Sequence, residues 1–214
     1  MCGRITLTRP NLESIAGELN VAPENYRGYP LLEPRYNVAP TDLHPILTLD
    51  EVSRRISPMT WGSVPKSRKG LTINWRAESF PPRSPRCAVI TDGFYEWSGP
   101  KTARQPYWFH RVDHALVLLA GLWKWQHQPE GAVSQVFVVL TTRVNGLMAP
   151  IHDRMPVVLD EAQLDLWMNS ATSEALARSF LRPAPDDWLV ADQASPLVNS
   201  VKNDGPELLA GLLS

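Results

Sequence analysis

A chain of 214 residues, 43% apolar and 20% charged, has the make-up of an ordinary globular protein, so one domain covering residues 1–214 is expected and a disordered or fibrous chain is excluded. Two cysteines, Cys2 and Cys87, exclude a disulfide framework, no C-x-x-C pair supports zinc, and no apolar leader or long apolar run supports secretion or membrane insertion, which places the chain in a reducing cytoplasmic or nuclear setting. A net charge of -1 argues mildly against a nucleic-acid binder, yet between residues 66 and 86 Lys66, Arg68, Lys69, Arg76, Arg83 and Arg86 stand against Glu78 alone, a run that could border phosphates or form a solvated loop.

Thr8 as cap, Pro10 in the first turn and a stripe of Leu12, Ile15, Ala16 and Leu19 predict an early amphipathic helix. From Pro45 onward, β-branched and aromatic runs broken by Pro, Gly and Asn predict strands near 45–49, 55–63, 87–98, 106–111, 115–125, 134–142 and 155–159. Asp160 with Gln163 has the pattern of a capping box ahead of Leu164 and Trp167. Thr172 or Ser173 opens a second short helix toward Phe180, and Pro206 with Glu207 begins a last one over Leu208, Leu209 and Leu212. Strands in the middle, helices at the ends, no βαβ alternation and no internal repeat predict an α+β fold whose antiparallel sheets curl round one core.

Cys2 is the residue with the most unusual chemistry available to it. Removal of Met1 would give it an α-amine and a thiol on adjacent carbons, a pair that no internal cysteine carries. An α-amine titrates near ~8 and a lysine near ~10.4, so much more of the former is free base at neutrality. Such an amine attacks aldehydes. The thiol can then close onto the same carbon with the effective molarity of an intramolecular reaction, giving a thiazolidine ring. The plainer reading of Cys2 is a small apolar side chain.

Three further stretches carry candidate chemistry. In the strand predicted over 87–98, alternation puts Phe94 and Glu96 on one face and Tyr95 and Trp97 on the other. A carboxyl buried among aromatics would have a raised pKa suited to acid/base work, although an exposed glutamate on a sheet edge fits the spacing equally. Residues 151–156 join the titratable imidazole of His152 to the permanent charge of Arg154 ahead of an apolar strand. His44, His110, His114 and His127 read as structural, and the His110/His114 spacing lacks a third ligand, so no metal and no cofactor is expected. On a strand Asn74 and Arg76 would share a face, where an amide could hold a hydroxyl or the α-amine while the guanidinium forks onto a phosphate; a turn asparagine and a surface arginine are the plainer alternative.

These pieces, in this order, resemble the SRAP family, proteins that shield abasic sites in single-stranded DNA by cross-linking to them. The resemblance rests on Met1-Cys2-Gly3-Arg4, the run from Arg35 through Asn37, Pro40 and Thr41, Trp61-Gly62, the block from Asn74 to Glu78, Arg86-Cys87 and the block from Gly93 to Trp97. Ala120-Gly121-Leu122-Trp123, Thr141-Thr142, the block from Ile151 to Pro156 and the block from Val198 to Pro206 continue it, so it spans nearly the whole chain. It implies a barrel-like β core with peripheral helices, Cys2 as covalent nucleophile, Glu96 as acid/base, His152 assisting sugar ring opening and Asn74 orienting the reacting groups. DNA contacts are implied for Arg4, Asn37, Pro40, Arg76, Arg86, Trp97, Thr141 and Arg154. The implied partner is single-stranded DNA containing abasic sites, handled by a monomer, nucleoid-associated in a bacterium or nuclear in a eukaryote, within a DNA damage or SOS response and with AP-lyase activity as a companion. Trp97 and Trp75 are stacking candidates, whereas Trp61, Trp108, Trp123 and Trp125 are assigned to the core.

The chain departs from the family pattern by lacking a tryptophan shortly after Pro65, by carrying Trp75 where a small residue is usual, and by a shorter stretch from Ser79 to Arg86. Two other readings stay open. One is an N-terminal-nucleophile cysteine peptidase or amidohydrolase, the activity that the family label carries, and the other is a non-covalent single-stranded DNA-binding module.

Overall fold

The computed structural model of the chain describes every residue except Met1, Pro10, Leu31, Val52, 65–69, Lys101, 128–130 and Ser214. Strand β1 (Arg4–Leu7) opens the fold, and helix α1 (Leu12–Glu18) follows with Ile15 and Ala16 buried, the face that the apolar spacing predicts. Its cap is Asn11, whose Oδ1 accepts from the Ser14 N–H at 3.1 Å. Thr8, expected in that role, instead donates its N–H and hydroxyl to Asp92 at 2.6 and 2.7 Å, because a buried carboxylate draws the nearest donors. Pro10 lies outside the described residues.

Strand β2 (Arg35–Val38) runs antiparallel to β1. Strands β3 (Leu43–Asp50) and β4 (Ser53–Trp61) form a hairpin in register from Leu43 opposite Thr60 to Asp50 opposite Ser53. After the short β5 (Asn74–Arg76), the single strand expected over 87–98 is found as two, β6 (Arg86–Thr91) and β7 (Gly93–Ser98), which belong to different sheets. The break has a local cause. Asp92 accepts the Thr6 hydroxyl at 2.6 Å in addition to the Thr8 donors, and Gly93 runs so close to Trp108 that a Cβ there would lie 2.2 Å from the indole nitrogen.

The remaining elements are β8 (Gln105–His110), β9 (Val117–His127), β10 (Val133–Arg143), β11 (Arg154–Pro156), β12 (Val158–Leu159), helices α2 (Glu161–Met168) and α3 (Glu174–Ser179), and β13 (Val190–Gln193). The Asp160/Gln163 capping box forms as predicted and Ser173 caps α3. The last predicted helix is a 3-10 turn, Pro206–Leu209, which buries Leu208 and Leu209. No helix among the described residues is long and apolar enough to cross a membrane.

Five strands close a barrel. β4 pairs β3, β3 pairs β6, β6 pairs β9, β9 pairs β10, and β10 returns to β4 through a parallel contact at Val136 opposite Thr60. A second sheet in the order β13-β8-β7-β1-β2 accompanies it, and with the peripheral helices this is the α+β, barrel-cored, mostly antiparallel architecture expected. Alternation divides the apolar residues. Cys87 and Val89 join Ile46, Leu119, Phe137 and Val139 in one cluster, which also takes Ile5 and Phe94 from the second sheet, while Ala88 and Ile90 face the other way and join the buried residues of all three helices. Cys2 belongs to the first cluster, so the two sheets meet where the chain starts.

Candidate active site at the start of the chain

The register of β1 against β7 pairs Arg4 with Tyr95 and Ile5 with Phe94, so the residues ahead of Arg4 run toward Glu96. Cys2 is fully buried there, its Sγ 3.8 Å from the Arg4 carbonyl oxygen. Burial, with the nearby Glu96 charge, holds its thiol well above the usual range. Strand β5 completes the cradle. It lies parallel to β10 with Asn74 opposite Val139, and from there the Asn74 amide donates to the Cys2 carbonyl at 2.7 Å. Asn74 Oδ1 is buried with no hydrogen-bond partner among the described residues.

Glu96 is 2% exposed, and burial pushes its carboxyl up to about 7, with the neighbouring Asp153 charge acting in the same direction. The alternation predicted for β7 holds: Phe94 packs with Cys2, and Tyr95 and Trp97 pack in a separate cluster with Trp108 and Leu208. His152 places Nε2 3.9 Å from Glu96 Oε2. Its Nδ1 accepts the Arg154 N–H at 3.0 Å and lies 2.9 Å from Asp153 Oδ1. Burial lowers the pKa of His152, favouring the neutral ring. Nε2 is the ring nitrogen nearer Glu96, and Nδ1 is the one engaged by the Asp153–Arg154 segment. Cys2, Asn74, Glu96 and His152, separated by up to 150 positions in sequence, are therefore brought together.

The basic residues fare differently from one another. Arg76 is exposed. Arg154 forks onto Glu78 at 2.5 and 2.8 Å and donates to the Thr141 carbonyl at 2.6 Å, and this ion pair holds the Glu78 carboxyl down to about 2. Arg4 uses Nη1 on Asn37 Oδ1 at 2.7 Å and on the Val198 carbonyl at 2.8 Å. Asn37 is buried, and its amide reaches the carbonyls of Val198, Ser200 and Asn203, tying the end of the chain to β2. Pro40 is half-buried, beside Thr41 whose φ is 82. Thr141 is fully buried and reaches the Trp75 carbonyl. Arg86 is placed apart from the group: it is 5% exposed, its guanidinium donates to the carbonyls of Trp167 and Asn169, and it lies over the Trp167 ring at 5.6 Å.

Among the tryptophans, Trp97 is half-buried with its indole N–H on Asn199 Oδ1 at 2.6 Å. Trp75, one residue along from Asn74, lines a separate cavity with Trp123. Trp61 and Trp108 are buried as expected, but Trp125 is 62% exposed rather than in the core, because β9 runs on past the end of the covered part of the sheet. Of the histidines read as structural, His44 is buried with Nε2 2.6 Å from the Ile90 carbonyl oxygen, and His110 holds Asp192 at 2.9 Å and stacks on Trp108. Arg104, Asn199 and Asp153 were not singled out from the sequence: Asp153 and Asn199 lie within the blocks that carry the family resemblance without a role of their own, and a turn arginine between two strands is the only signal Arg104 offers. Among the described residues no group of three or more His, Cys, Asp or Glu is placed to hold a metal.

The architecture is a closed five-strand barrel flanked by a second sheet, with Cys2 drawn into the seam between them near a buried acid. The chain belongs to the SRAP family, matching the description SOS response associated peptidase (SRAP) over residues 1–201. It is 34% identical to the abasic site processing protein YoqW of Bacillus subtilis, over 98% of this chain and 99% of that one. It is 28% identical to the abasic site processing protein YedK of Escherichia coli, with the same coverages of 98% and 99%. Among solved structures, a Bacteroides thetaiotaomicron protein superposes with a TM-score of 0.80 at 20% identity, covering 97% of this chain and 98% of that one, a likeness of fold.

Proposed function

We propose that this chain, acting as a one-domain monomer, captures abasic sites in single-stranded DNA covalently through Cys2 after removal of Met1. The observation that carries the reading is the Asn74 amide on the Cys2 carbonyl at 2.7 Å, which fixes the backbone of the reacting residue next to a carboxyl whose pKa of about 7 suits proton transfer in both directions. The names of the relatives, abasic site processing proteins from Bacillus and Escherichia, point to the same lesion.

The ring-opened deoxyribose of an abasic site offers an aldehyde at C1′. The Cys2 amine attacks it, forming the N–C1′ bond. One amine proton passes to the carbinolamine oxygen, protonated Glu96 gives its own to the same hydroxyl, which leaves as water, and the protonated imine remains. The thiol then adds to the same carbon: the S–C1′ bond forms, the C=N electron pair returns to the nitrogen, which keeps its remaining proton, and ionised Glu96 accepts the sulfur proton, closing the thiazolidine. A buried, neutral thiol is suited to this late role, since it is held back until the imine has formed beside it. His152, with Nε2 toward Glu96, assists ring opening of the sugar. Asn37, Pro40 and Thr141 shape the lesion side of the site, and Arg4, Arg76 and Arg154 face the strand, which needs no base reading. Elimination from the imine would give AP-lyase activity as a slower branch.

Intact-mass measurement tests the proposal. Purified protein should begin at Cys2 and, with an abasic single strand, form a heat-stable product with the mass of the two partners less one water; Cys2→Ala should lower its yield at least a hundredfold. A chain that retains Met1, or Cys2→Ala adduct at the wild-type level, overturns it. Turnover of an amide substrate without DNA would favour the N-terminal-nucleophile peptidase instead.

A further inference from the structure

Beside the reacting residues lies a cavity of about 270 Å3 lined by Gly3, Arg4, Trp97, Arg104 and Asn199. We propose that this cavity is the seat of a backbone phosphate of the captured strand, next to the lesion, and that Arg104 is the residue that holds it. This rests on the capture reading above and adds to it a binding residue and the place on the strand that the residue grips.

The lining supplies two guanidinium groups and no carboxylate, so an anion is the complementary occupant. The two cations are not equivalent. Arg4 is half-buried, and its Nη1 is engaged by Asn37 and the Val198 carbonyl. Arg104 is exposed and makes no side-chain hydrogen bond or ion pair among the described residues, which leaves its whole donor fork for a ligand. The remaining wall is Trp97, whose ring is pinned by the bond from its N–H to Asn199, giving a flat apolar surface for the sugar or base carried by the same phosphate.

Position selects the strand over a free anion. Gly3 adjoins Cys2, so an anion seated here lies within one nucleotide of the C1′ atom that Cys2 attacks. The short connection between β7 and β8 carries Arg104 back to the Trp97 side of the strand pair, since Trp97 pairs with Pro106 and Ser98 with Gln105, and there the two line the cavity together. Arg104 acts electrostatically on both Glu96 and His152. The charged and titratable groups acting on Glu96 are the terminal α-amine, which lowers its pKa more than any other charge, Cys2, His152 and Asp153 from the segment before β11, and Arg104 from the β7–β8 turn. Arg104 alone among them is a permanent cation, so it favours the ionised carboxylate, and a phosphate seated on it offsets that influence and favours the protonated acid.

The experiment compares wild type, Arg104→Gln and Arg104→Lys by binding an undamaged oligothymidylate over a range of salt and by the rate of adduct formation with an abasic oligonucleotide against pH. The Gln variant should bind about fivefold more weakly at low salt, with a log-log salt slope smaller by about 0.7, the value of one single-strand phosphate contact. Its limb governed by Glu96 should move to higher pH. Arg104→Lys, which keeps the charge, should recover the slope and the limb. If Arg104→Gln leaves slope, rate and limb at wild-type values, the phosphate seat is wrong. A wild type that shows the Arg104-dependent slope but forms no adduct overturns the capture reading and leaves this one standing.

Discussion

Arg86 and Asn74 show how residues from equally short motifs part company once folded. Asn74 keeps one end of its amide on the Cys2 carbonyl, and the other end is buried with no hydrogen-bond partner among the described residues. Arg86 has the opposite character: its donors end on the carbonyls of Trp167 and Asn169 at the close of α2, and a buried cation satisfied in that way has little left for a phosphate. Arg86→Gln should therefore lower stability by about 2 kcal/mol, the cost of leaving buried carbonyls unpaired, while adduct yield per folded molecule and the salt slope of DNA binding stay at wild-type values. Urea unfolding and cross-linking below the melting temperature check the two halves. A Gln variant that folds normally but loses a phosphate contact would return Arg86 to the DNA.

The hinge between β6 and β7 is the element on which the site depends. A six-residue strand covered on both faces ends at Thr91, and the chain then leaves the barrel for the second sheet. Without that crossing Glu96 would continue along the barrel instead of meeting the start of the chain. Asp92 and Gly93 make the turn, the first by collecting Thr6 and Thr8 and the second by having no Cβ against Trp108. Gly93→Ala is expected to cost about 3 kcal/mol through overpacking, a fall in melting temperature of roughly 6–12 °C for a chain of this size, and calorimetry would measure it. In the sequence, the apolar run from Cys87 onward reads as continuous, because periodicity does not record that two neighbouring strands belong to different sheets. The strands missed altogether, β1, β2, β5 and β13, have at most four residues, too few for alternation to register, and two of them carry Arg4 and Asn74.

At the scale of the whole molecule two buried groups titrate against each other. Burial lifts Glu96 from its ordinary 4.5 to about 7. Between those values the folded chain holds a proton that the unfolded chain has lost, so this group's contribution to stability falls as pH rises toward 7. Burial lowers His44 from 6.5 to about 4. There the unfolded chain holds the extra proton, and the contribution falls as pH drops from 6.5 toward 4. Each effect is of the order of 3 kcal/mol across its window, and between about 4.5 and 6.5 the slopes cancel. Unfolding free energy should thus be nearly flat over that range in the wild type, fall with acid in Glu96→Gln, and fall with rising pH in His44→Gln. Urea titrations at four pH values in this range read the slopes; parallel profiles for all three proteins would mean that neither group is held as its burial implies.

The kinds of residue and their local habits were legible from the sequence alone: the apolar face of α1, the capping box of α2, most of the long barrel strands, the alternation that separates Glu96 from Trp97, and the aminothiol latent in Cys2. Each depends on neighbours a few positions away, and short-range sterics and burial period are written directly in the chain. Tertiary structure decided which of these residues meet. Pairing of β1 with β7, the parallel seat of β5 on β10, and the loop ahead of β11 bring Cys2, Asn74, Glu96 and His152 to one seam, send Arg86 to a helix end and set Arg104 in a cavity with Trp97. Those outcomes come from strand partnership and desolvation between residues tens of positions apart or more, forces that exist only once the sheets have closed.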